Sequence, residues 1–386
     1  MLPKPTYWSV GFNTVETSEM PLKQHAITRA PEERLNWKTS LPFFLVHLLC
    51  LLAFVTGVSK TALMLFLTLY WVRMFFITAG YHRYFSHRSY KLGRVMQFVM
   101  AFGGASAVQK GPLWWASHHR DHHRYSDTDL DLHSPLKGFW WSHVGWILCD
   151  KNNAWNPDDI KDFAKYPELR WINKHDAVAP WMLGIFSWYI GGWSGLVFGF
   201  LCSTVLLWHS TFAVNSLAHV MGRRRYATTD TSRNSVLVAL LTLGEGWHNN
   251  HHYFQASSRQ GFFWWELDIS YYVLKMLSWV GLVQDLKQPP ERMLAAGRVR
   301  DGSFDMGMFK SHWAKATAAL NAVRPAALGV TDDGTLDPEI VSRRDRLEDL
   351  ITANAASLHE HAQSTLAHAE ELARLSRRER SMGMVD

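Results

Sequence analysis

Apolar residues concentrate in two adjacent stretches in the first quarter of the chain. Residues 41–59 contain one polar residue of note, His47, and residues 61–80 contain one charged residue, Arg73. Each stretch is about as long as a helix that crosses a bilayer, which takes ~20 residues. Because only Lys60 separates them, the pattern predicts a hairpin of two membrane spans. Arg73 is expected to face protein or to extend toward the membrane surface.

A second apolar region lies further along the chain. Residues 179–220 contain no Asp, Glu, Lys or Arg, and a Gly-Gly pair at 191–192 offers a turning point. This pattern predicts two more spans, over about 177–193 and 195–218. Residues 81–176 are polar and rich in His and Trp, with a short apolar patch at 95–108 that predicts an interfacial helix.

These patterns predict an all-α integral membrane protein with four transmembrane helices in two hairpins. Residues 1–40 are charged and lack an apolar signal-peptide core, so a cytosolic N-terminal segment is expected. The membrane domain is predicted over 41–290, and a cytosolic helical tail over 291–386. Lys and Arg concentrate outside the short hairpin loops, which places both termini and the central segment in the cytoplasm by the positive-inside rule.

Composition restricts the class of protein further. The chain is 47% hydrophobic with 19 Trp and 19% charged residues, which excludes a bundle made of spans alone. The formal charge of +6 suits anionic lipid or an acidic electron-transfer partner. The sequence shows no basic face with interleaved aromatic residues, so nucleic-acid binding is not expected. The three cysteines show no C-x-x-C spacing and are interpreted as reduced core residues.

Eight of the twenty histidines fall in three tight clusters. The clusters are His82 and His87; His119, His122 and His123; and His248, His251 and His252. Helix positions i, i+3 and i+4 share one face, so each triplet can direct its imidazoles to a common point. The i, i+5 spacing of His82 and His87 fits a helix end or a local distortion that turns both rings inward. His219, four residues after Asn215 at the end of the last span, is a ninth candidate.

The predicted spans bring these histidines to one site at the cytoplasmic membrane surface. Neutral imidazoles without thiolates suit Fe, Zn, Cu or Ni, and nine ligands are too many for one ion but suit two. A pair of irons is the preferred interpretation, because two irons would enable such a site to catalyse a reaction. Asp127, Asp129 and Asp131 do not complete a calcium loop and are expected to orient ligating imidazoles.

Histidines outside the three clusters are interpreted differently. His118 and His133 adjoin a cluster and are expected to contact a ligating imidazole or the substrate. His47, His143 and His209 have no cluster spacing and are taken as isolated residues.

The histidine motifs resemble those of the membrane fatty acid desaturase family, in particular the Δ9 acyl-CoA and acyl-lipid desaturases of the stearoyl-CoA desaturase type. The matching strings are GYHRYFSHRSYK at 80–91, WASHHRDHH at 115–123, NSLAH at 215–219 and GEGWHNNHH at 244–252. The resemblance runs from about residue 41 to 284. It departs at Leu132, where relatives usually have Pro.

The resemblance implies four membrane helices under a cytosolic helical cap that holds a di-iron site. The two irons would share the nine histidines, with Asn215 in contact through a water molecule. The sequence leaves open which histidine belongs to which iron. The implied reaction is the O2-dependent introduction of a cis double bond, at Δ9, into a saturated chain of palmitoyl to stearoyl length. The acyl carrier, CoA or lipid, also stays open, and a bacterial inner membrane is the expected location.

Reduction of O2 requires electrons from another protein. The sequence shows no Cys ligand set, no dinucleotide-binding motif and no haem motif. A separate donor of the ferredoxin, rubredoxin or cytochrome b5 type, with its reductase, is therefore expected. Tyr70 and Met74 are predicted at the far end of an acyl tunnel, with Met74 limiting chain length.

Two alternatives to a desaturase stay open. A related di-iron fatty acyl hydroxylase or oxygenase would share the architecture and differ only in its product. A non-enzymatic membrane metal-binding protein would have closed coordination and no acyl tunnel.

Overall fold

The computed structural model describes residues 31–299 and the backbone of 304–305. Most of the predicted N-terminal segment 1–40 and most of the predicted tail 291–386 therefore lie outside the described residues.

Helices make up most of the described chain. The α-helices are α1 (Trp37–Cys50), α2 (Ala53–Thr56), α3 (Lys60–Phe75), α4 (Arg94–Ala105), α5 (Pro112–Tyr125), α6 (Lys161–Ala164), α7 (Pro167–Lys174), α8 (Val178–Ser194), α9 (Ser203–Asn215), α10 (Leu217–Val220), α11 (Val236–Leu241), α12 (His248–Tyr253), α13 (Ile269–Trp279) and α14 (Glu291–Ala295). The π-helical segments are Phe76–Ser86, Trp141–Gly145 and Gly195–Cys202, and the 3-10 turns are Pro31–Glu33, Pro135–Lys137 and Pro157–Ile160.

Two short antiparallel ribbons join distant segments. Strand β1 (Lys91–Leu92) pairs with β3 (Val283–Gln284), and β2 (Gly222–Arg223) pairs with β4 (Phe304–Asp305). The mostly helical fold that the sequence predicts is therefore present.

Three helical stretches are long and apolar enough to cross a membrane: Trp37–Thr56, Lys60–Ser86 and Val178–Val220. The first overlaps the predicted span 41–59 but begins and ends earlier. The second covers the predicted span 61–80 and continues to Ser86, because the π-helix follows α3 without a break. Their outward surfaces are apolar; Phe54 and Val55, for example, are 90% and 83% exposed. Such a surface is typical of contact with lipid.

The third stretch turns back on itself at Gly192. A straight helix of 43 residues would be about 64 Å long, twice the thickness of a bilayer core. Gly192 adopts φ 60° and ψ −154°, a conformation that other residues avoid. A Cβ on Gly195 would collide with the carbonyl oxygen of Ser187, which shows that the arms on either side of the turn pack together.

Two further predictions can be compared with the fold. Arg73 faces protein: its guanidinium donates to Ser203 Oγ at 2.6 Å and to Thr204 Oγ1 at 2.7 Å. The apolar patch at 95–108 forms α4, as expected of a helix, and Val95 on this helix is exposed. Its position at a membrane surface stays a prediction.

Candidate metal centre

The structure brings together all nine predicted histidines, in two adjacent groups. The five-histidine group contains His82, His87, His119, His123 and His251. The four-histidine group contains His122, His219, His248 and His252. Within each group the candidate ligand atoms all lie within 4.8 Å of one another. Five histidines therefore surround one point and four surround the other.

The two triplets are divided between the groups, contrary to the expectation that each triplet aims at one point. Residues i and i+4 of an α-helix point about 40° apart, whereas i+3 and i+4 point about 100° apart. On α5, His119 and His123 accordingly join one group while His122 joins the other. On α12 the same rule sends His251 to the five-histidine group, away from its neighbours 248 and 252.

The spacing of His82 and His87 is explained by a π-helix. His82 lies in the π-helical segment Phe76–Ser86, and the His87 N–H donates to the His82 carbonyl at 3.2 Å. This i to i+5 bond defines a π-helix, which often marks a functional site. The distortion that the spacing predicts is therefore present, and it aims both rings at the same group.

The Nε2 atoms of the five-histidine group converge. His119 Nε2 lies 2.9 Å from His87 Nε2 and 3.0 Å from His123 Nε2. His251 Nε2 lies 3.0 Å from His82 Nε2 and 2.9 Å from His123 Nε2. Nitrogens about 2.1 Å from one ion and at right angles stand about 3.0 Å apart. The spacing thus fits a shared metal ion.

The four-histidine group also fits a metal ion. His219 Nε2 lies 3.0 Å from His248 Nε2. The Nε2 atoms of His122 and His252 are buried and have no hydrogen-bond partner among the described residues. Burying a polar nitrogen without a partner is costly, and a bound metal would remove that cost.

Carboxylates lie at or near the opposite ring nitrogen of three histidines of the four-histidine group. His122 Nδ1 lies 3.1 Å from both carboxylate oxygens of Asp131, and His252 Nδ1 lies 2.7 Å from Asp230 Oδ2. His219 Nδ1 lies 3.1 Å from Thr231 Oγ1 and 3.5 Å from Asp127 Oδ2. An N–H donated on the Nδ1 side leaves the Nε2 lone pair free for a metal.

Asp127 and Asp131 thus lie where the sequence placed orienting carboxylates, whereas Asp129 is exposed on the same loop. Asp230 was missed, because no histidine cluster adjoins it in the sequence and its contact with His252 spans 22 residues.

One carboxylate orients the five-histidine group. His82 Nδ1 contacts Glu245 Oε2 and lies 3.2 Å from Gln260 Nε2. Glu245 in turn accepts a bond from Arg83 Nη2 at 2.9 Å, and Arg83 Nη1 donates to Asp268 at 2.8 Å. This buried network fixes the π-helix against the 245–268 segment. Glu245 stands in the GEGW string, but its role was not predicted.

The electrostatics keep the carboxylates ionised. Burial alone would raise the pKa of Asp131, but the imidazoles of His122 and His133 hold it well below its usual value. Burial is likewise outweighed at Asp230, where His252 lowers the pKa far below the ordinary range. The pKa of Asp127 falls to about 2, since contacts with His219 and Thr231 overcome burial.

The imidazoles are mostly kept neutral. Burial, followed by repulsion from neighbouring imidazoles, lowers the pKa of His119, His123, His248 and His251 well below the usual value. His122 is an exception: burial lowers its pKa, but Asp131 raises it by more. Neutral imidazoles are the form that binds metals.

An apolar cavity of about 970 Å³ reaches the five-histidine group at His119 and also touches His133 and Asn215. Its walls include residues of α1, α5, α8 and the arm from Leu196 to Asn215. Trp188 and Trp193, close to the turn at Gly192, also line it. Asn215, the predicted water-holding residue, ends α9 one turn before His219.

Other predictions about the cavity have mixed outcomes. His118 and His133 both line it, and the His133 ring lies 4.1 Å from the His122 ring. Tyr70 and Met74 do not: both are buried elsewhere, with the Tyr70 hydroxyl 2.7 Å from the Leu241 carbonyl. The hypothesis that Met74 closes the tunnel is therefore wrong for this cavity.

A second, polar pocket of about 380 Å³ also borders the five-histidine group. It is lined by Ser86, His87, Arg120, His123, Arg124, Gln255 and Ala256. His87, His119 and His123 are half-buried, whereas every member of the four-histidine group is buried. The five-histidine group therefore borders two openings.

His47, His143 and His209 are not isolated, contrary to expectation. His47 Nε2 lies 3.0 Å from His209 Nε2, and His209 Nδ1 lies 2.9 Å from His143 Nε2. The row ends where His143 Nδ1 lies 2.9 Å from Ser216 Oγ. His209 contacts His47 and His143 through different ring nitrogens. The three histidines therefore form a hydrogen-bonded row, and their nitrogens do not converge on one point as metal ligands would.

Known proteins resemble this chain over the region that holds both groups. The fatty acid desaturase family model matches residues 59–281. An sn-1 stearoyl-lipid 9-desaturase of Anabaena variabilis is 39% identical over 264 residues, covering 68% of this chain and 97% of the relative. An acyl-CoA 5-desaturase of Anemone leveillei is 39% identical, covering 64% of this chain and 78% of the relative. The range that the family model matches, 59–281, contains all nine histidines and Asn215.

Proposed function

The chain belongs to the fatty acid desaturase family and is a fatty acyl desaturase, and from this premise we propose its specific reaction and site. The reaction introduces a cis double bond at Δ9 into a long saturated acyl chain. Two irons are held by the nine histidines, five on one and four on the other. The observation that carries this proposal is the convergence of both groups beside an apolar cavity.

The chemistry requires more than side chains can supply. An unactivated C–H bond offers no acidic proton, so general acid or base catalysis cannot break it. Iron and O2 together supply the oxidising power that the reaction needs. The chain contributes the ligands, the ionised carboxylates Asp127, Asp131 and Asp230 that orient them, and an apolar surface that excludes water.

The cavity positions the acyl chain. Its walls are built mainly from aromatic and aliphatic side chains, which bind methylene groups and displace water. His119 and Asn215 lie where the cavity meets the histidines. A chain seated there presents one methylene pair to the site, and fixed orientation of this kind accelerates a reaction. Asn215 holds a water molecule at this junction.

The same proposal includes a membrane arrangement. Two hairpins supply four spans, and residues 81–176 and 221–290 form a cytosolic cap over them. The arrangement is supported by the turn at Gly192 and by the positions of the ligands. His82 and His219 lie near the ends of two apolar stretches, and the other ligands lie in the segments between and after them. Both termini are cytoplasmic, in a bacterial inner membrane.

Electrons come from a separate donor of the ferredoxin, rubredoxin or cytochrome b5 type. The polar pocket supports this part of the proposal, because His87 and His123 line it together with Arg120 and Arg124. An acidic carrier docked there would stand next to two ligating imidazoles.

The structure disfavours a non-enzymatic metal-binding protein. Such a protein needs neither an apolar cavity of this size nor partly exposed ligands, and this chain has both. A hydroxylase would share these features, so its product must distinguish it.

The test is expression in a desaturase-deficient host, with cellular fatty acids analysed by gas chromatography and mass spectrometry. We expect new Δ9 monounsaturated acids, and their absence in the double variant His119→Ala, His251→Ala. Hydroxy acids would replace the proposal with a hydroxylase. No new product from a chain that binds two irons and receives electrons would contradict it.

A further inference from the structure

The apolar cavity is open along its side. Leu45 on α1 and Trp181, Ile185 and Trp188 on α8 all line the cavity, yet they are 46%, 72%, 62% and 47% exposed. Side chains that line a cavity and also face outward mark an opening. Both helices belong to stretches apolar and long enough to cross a membrane, so this opening faces the bilayer.

The opposite edge of α1 is closed. Phe43 and Trp208 stack with ring centroids 5.3 Å apart, and His47 bonds to His209 on α9 at 3.0 Å. The row then continues to His143 and Ser216, which ties α1 to the segment next to the four-histidine group. α1 is thus anchored on α9, and apart from Ser40 its residues are not buried. The remaining gap lies between α1 and α8.

The cavity wall carries almost no charge. Among the described residues that line it, Lys110 and Asp176 are the only Lys, Arg, Asp or Glu, and the two interact with each other. A CoA thioester carries several phosphate charges, which proteins bind with clusters of Arg and Lys. Uncharged polar residues of the wall, among them Thr39, Gln109 and Asn153, suit the ester and hydroxyl groups of a lipid instead.

We propose that the substrate is an acyl chain still esterified to a membrane glycerolipid, and that it enters the cavity sideways between α1 and α8. This inference rests on the proposed function and specifies its acyl carrier. Sideways entrance keeps the chain in apolar surroundings throughout, because the lipid never leaves the bilayer. The His47–His209–His143 row holds the closed edge while the α1–α8 edge admits the lipid.

The first experiment compares the two carriers directly. The purified full-length iron-loaded protein is placed in nanodiscs of phosphatidylethanolamine that carries a deuterated stearoyl chain, with ferredoxin and its reductase as electron source. A parallel sample has unlabelled saturated lipid and deuterated stearoyl-CoA. We expect the double bond in the intact labelled lipid. A bond formed in the CoA thioester while the lipid stays saturated would overturn the inference and leave the desaturase function standing. No product in either sample would overturn the function itself, and the inference with it.

A second experiment narrows the opening. Ile185→Trp places a larger side chain at an exposed lining position, and Phe186→Trp alters an exposed neighbour on α8 that does not line the cavity. We expect Ile185→Trp to lower lipid desaturation about fivefold or more at unchanged iron content, with the control near wild type. Equal activity in the two variants would overturn the sideways route.

Discussion

The five-histidine and four-histidine groups use the same ligand chemistry in different surroundings. The four-histidine group is buried throughout, and three of its imidazoles have a carboxylate at or near Nδ1. The five-histidine group has one such carboxylate, Glu245, and three half-buried ligands. The difference indicates a division of tasks. An ion in the four-histidine group would be held away from solvent, and an ion in the five-histidine group would face the apolar cavity and the polar pocket.

The largest expected effect comes from removing one ligand of either group. His248→Ala and His87→Ala should each lower iron from two per chain toward one and reduce desaturation by about a thousandfold or more, because one ion cannot replace the pair. Metal analysis and product analysis on the same preparation measure both. His175→Ala, an exposed histidine outside both groups, is the control. Loss of both irons from both variants would contradict the division into separate sites.

Removing an orienting carboxylate should have a smaller effect. Asp230→Asn keeps the size of the side chain but loses the charge that holds His252 Nδ1. We expect a loss of about 10- to 100-fold in iron affinity or activity. Asp129→Asn, on the exposed part of the neighbouring loop, should behave as wild type. Unchanged iron binding in the Asp230 variant would show that the carboxylate does not support the four-histidine group.

Metal removal should separate the two groups by rate. A water-soluble chelator can reach the five-histidine group through the pocket at His87 and His123, whereas the four-histidine group is buried. We expect iron to leave in two phases, with the first several-fold faster. The iron left in His248→Ala should show only the fast phase, and that in His87→Ala only the slow one. A single phase in the wild-type protein would remove the distinction in access.

The smallest expected effect is at the rim of the polar pocket. Arg124 is half-exposed and lines this pocket, so Arg124→Glu should reduce turnover with an acidic protein donor by a few-fold and make it less sensitive to salt. Turnover driven by a small chemical reductant should not change. Lys275→Glu, an exposed position on α13, is the matched control. An equal loss with both reductants would place Arg124 in folding or catalysis instead.

The sequence predicts which histidines come together, because their spacing within each motif is local. The 119–123 and 248–252 motifs each lie within one helix, and the 82–87 spacing indicates a helical distortion that proves to be a π-helix. Hydropathy likewise predicts the apolar stretches and the Gly-Gly turn. Such features depend on residues within one or two turns of each other.

Long-range contacts could not be predicted from the sequence. Asp230 meets His252, Glu245 meets His82, and His47 meets His209 only because the chain folds. The sequence did not predict that the histidines of each triplet would divide between the two groups. Side chains on the same helix face were expected to reach the same metal, but their directions differ enough to reach two. Met74 was misplaced because the rotation of α3 relative to α1 and α8 cannot be read from one helix.

The central claim is that two irons occupy the two histidine groups. Anomalous X-ray diffraction at the iron edge, from crystals of the iron-loaded protein, tests it most directly. The account predicts two peaks, one among His82, His87, His119, His123 and His251 and one among His122, His219, His248 and His252. A single peak, or scattering at the zinc edge alone, would contradict it.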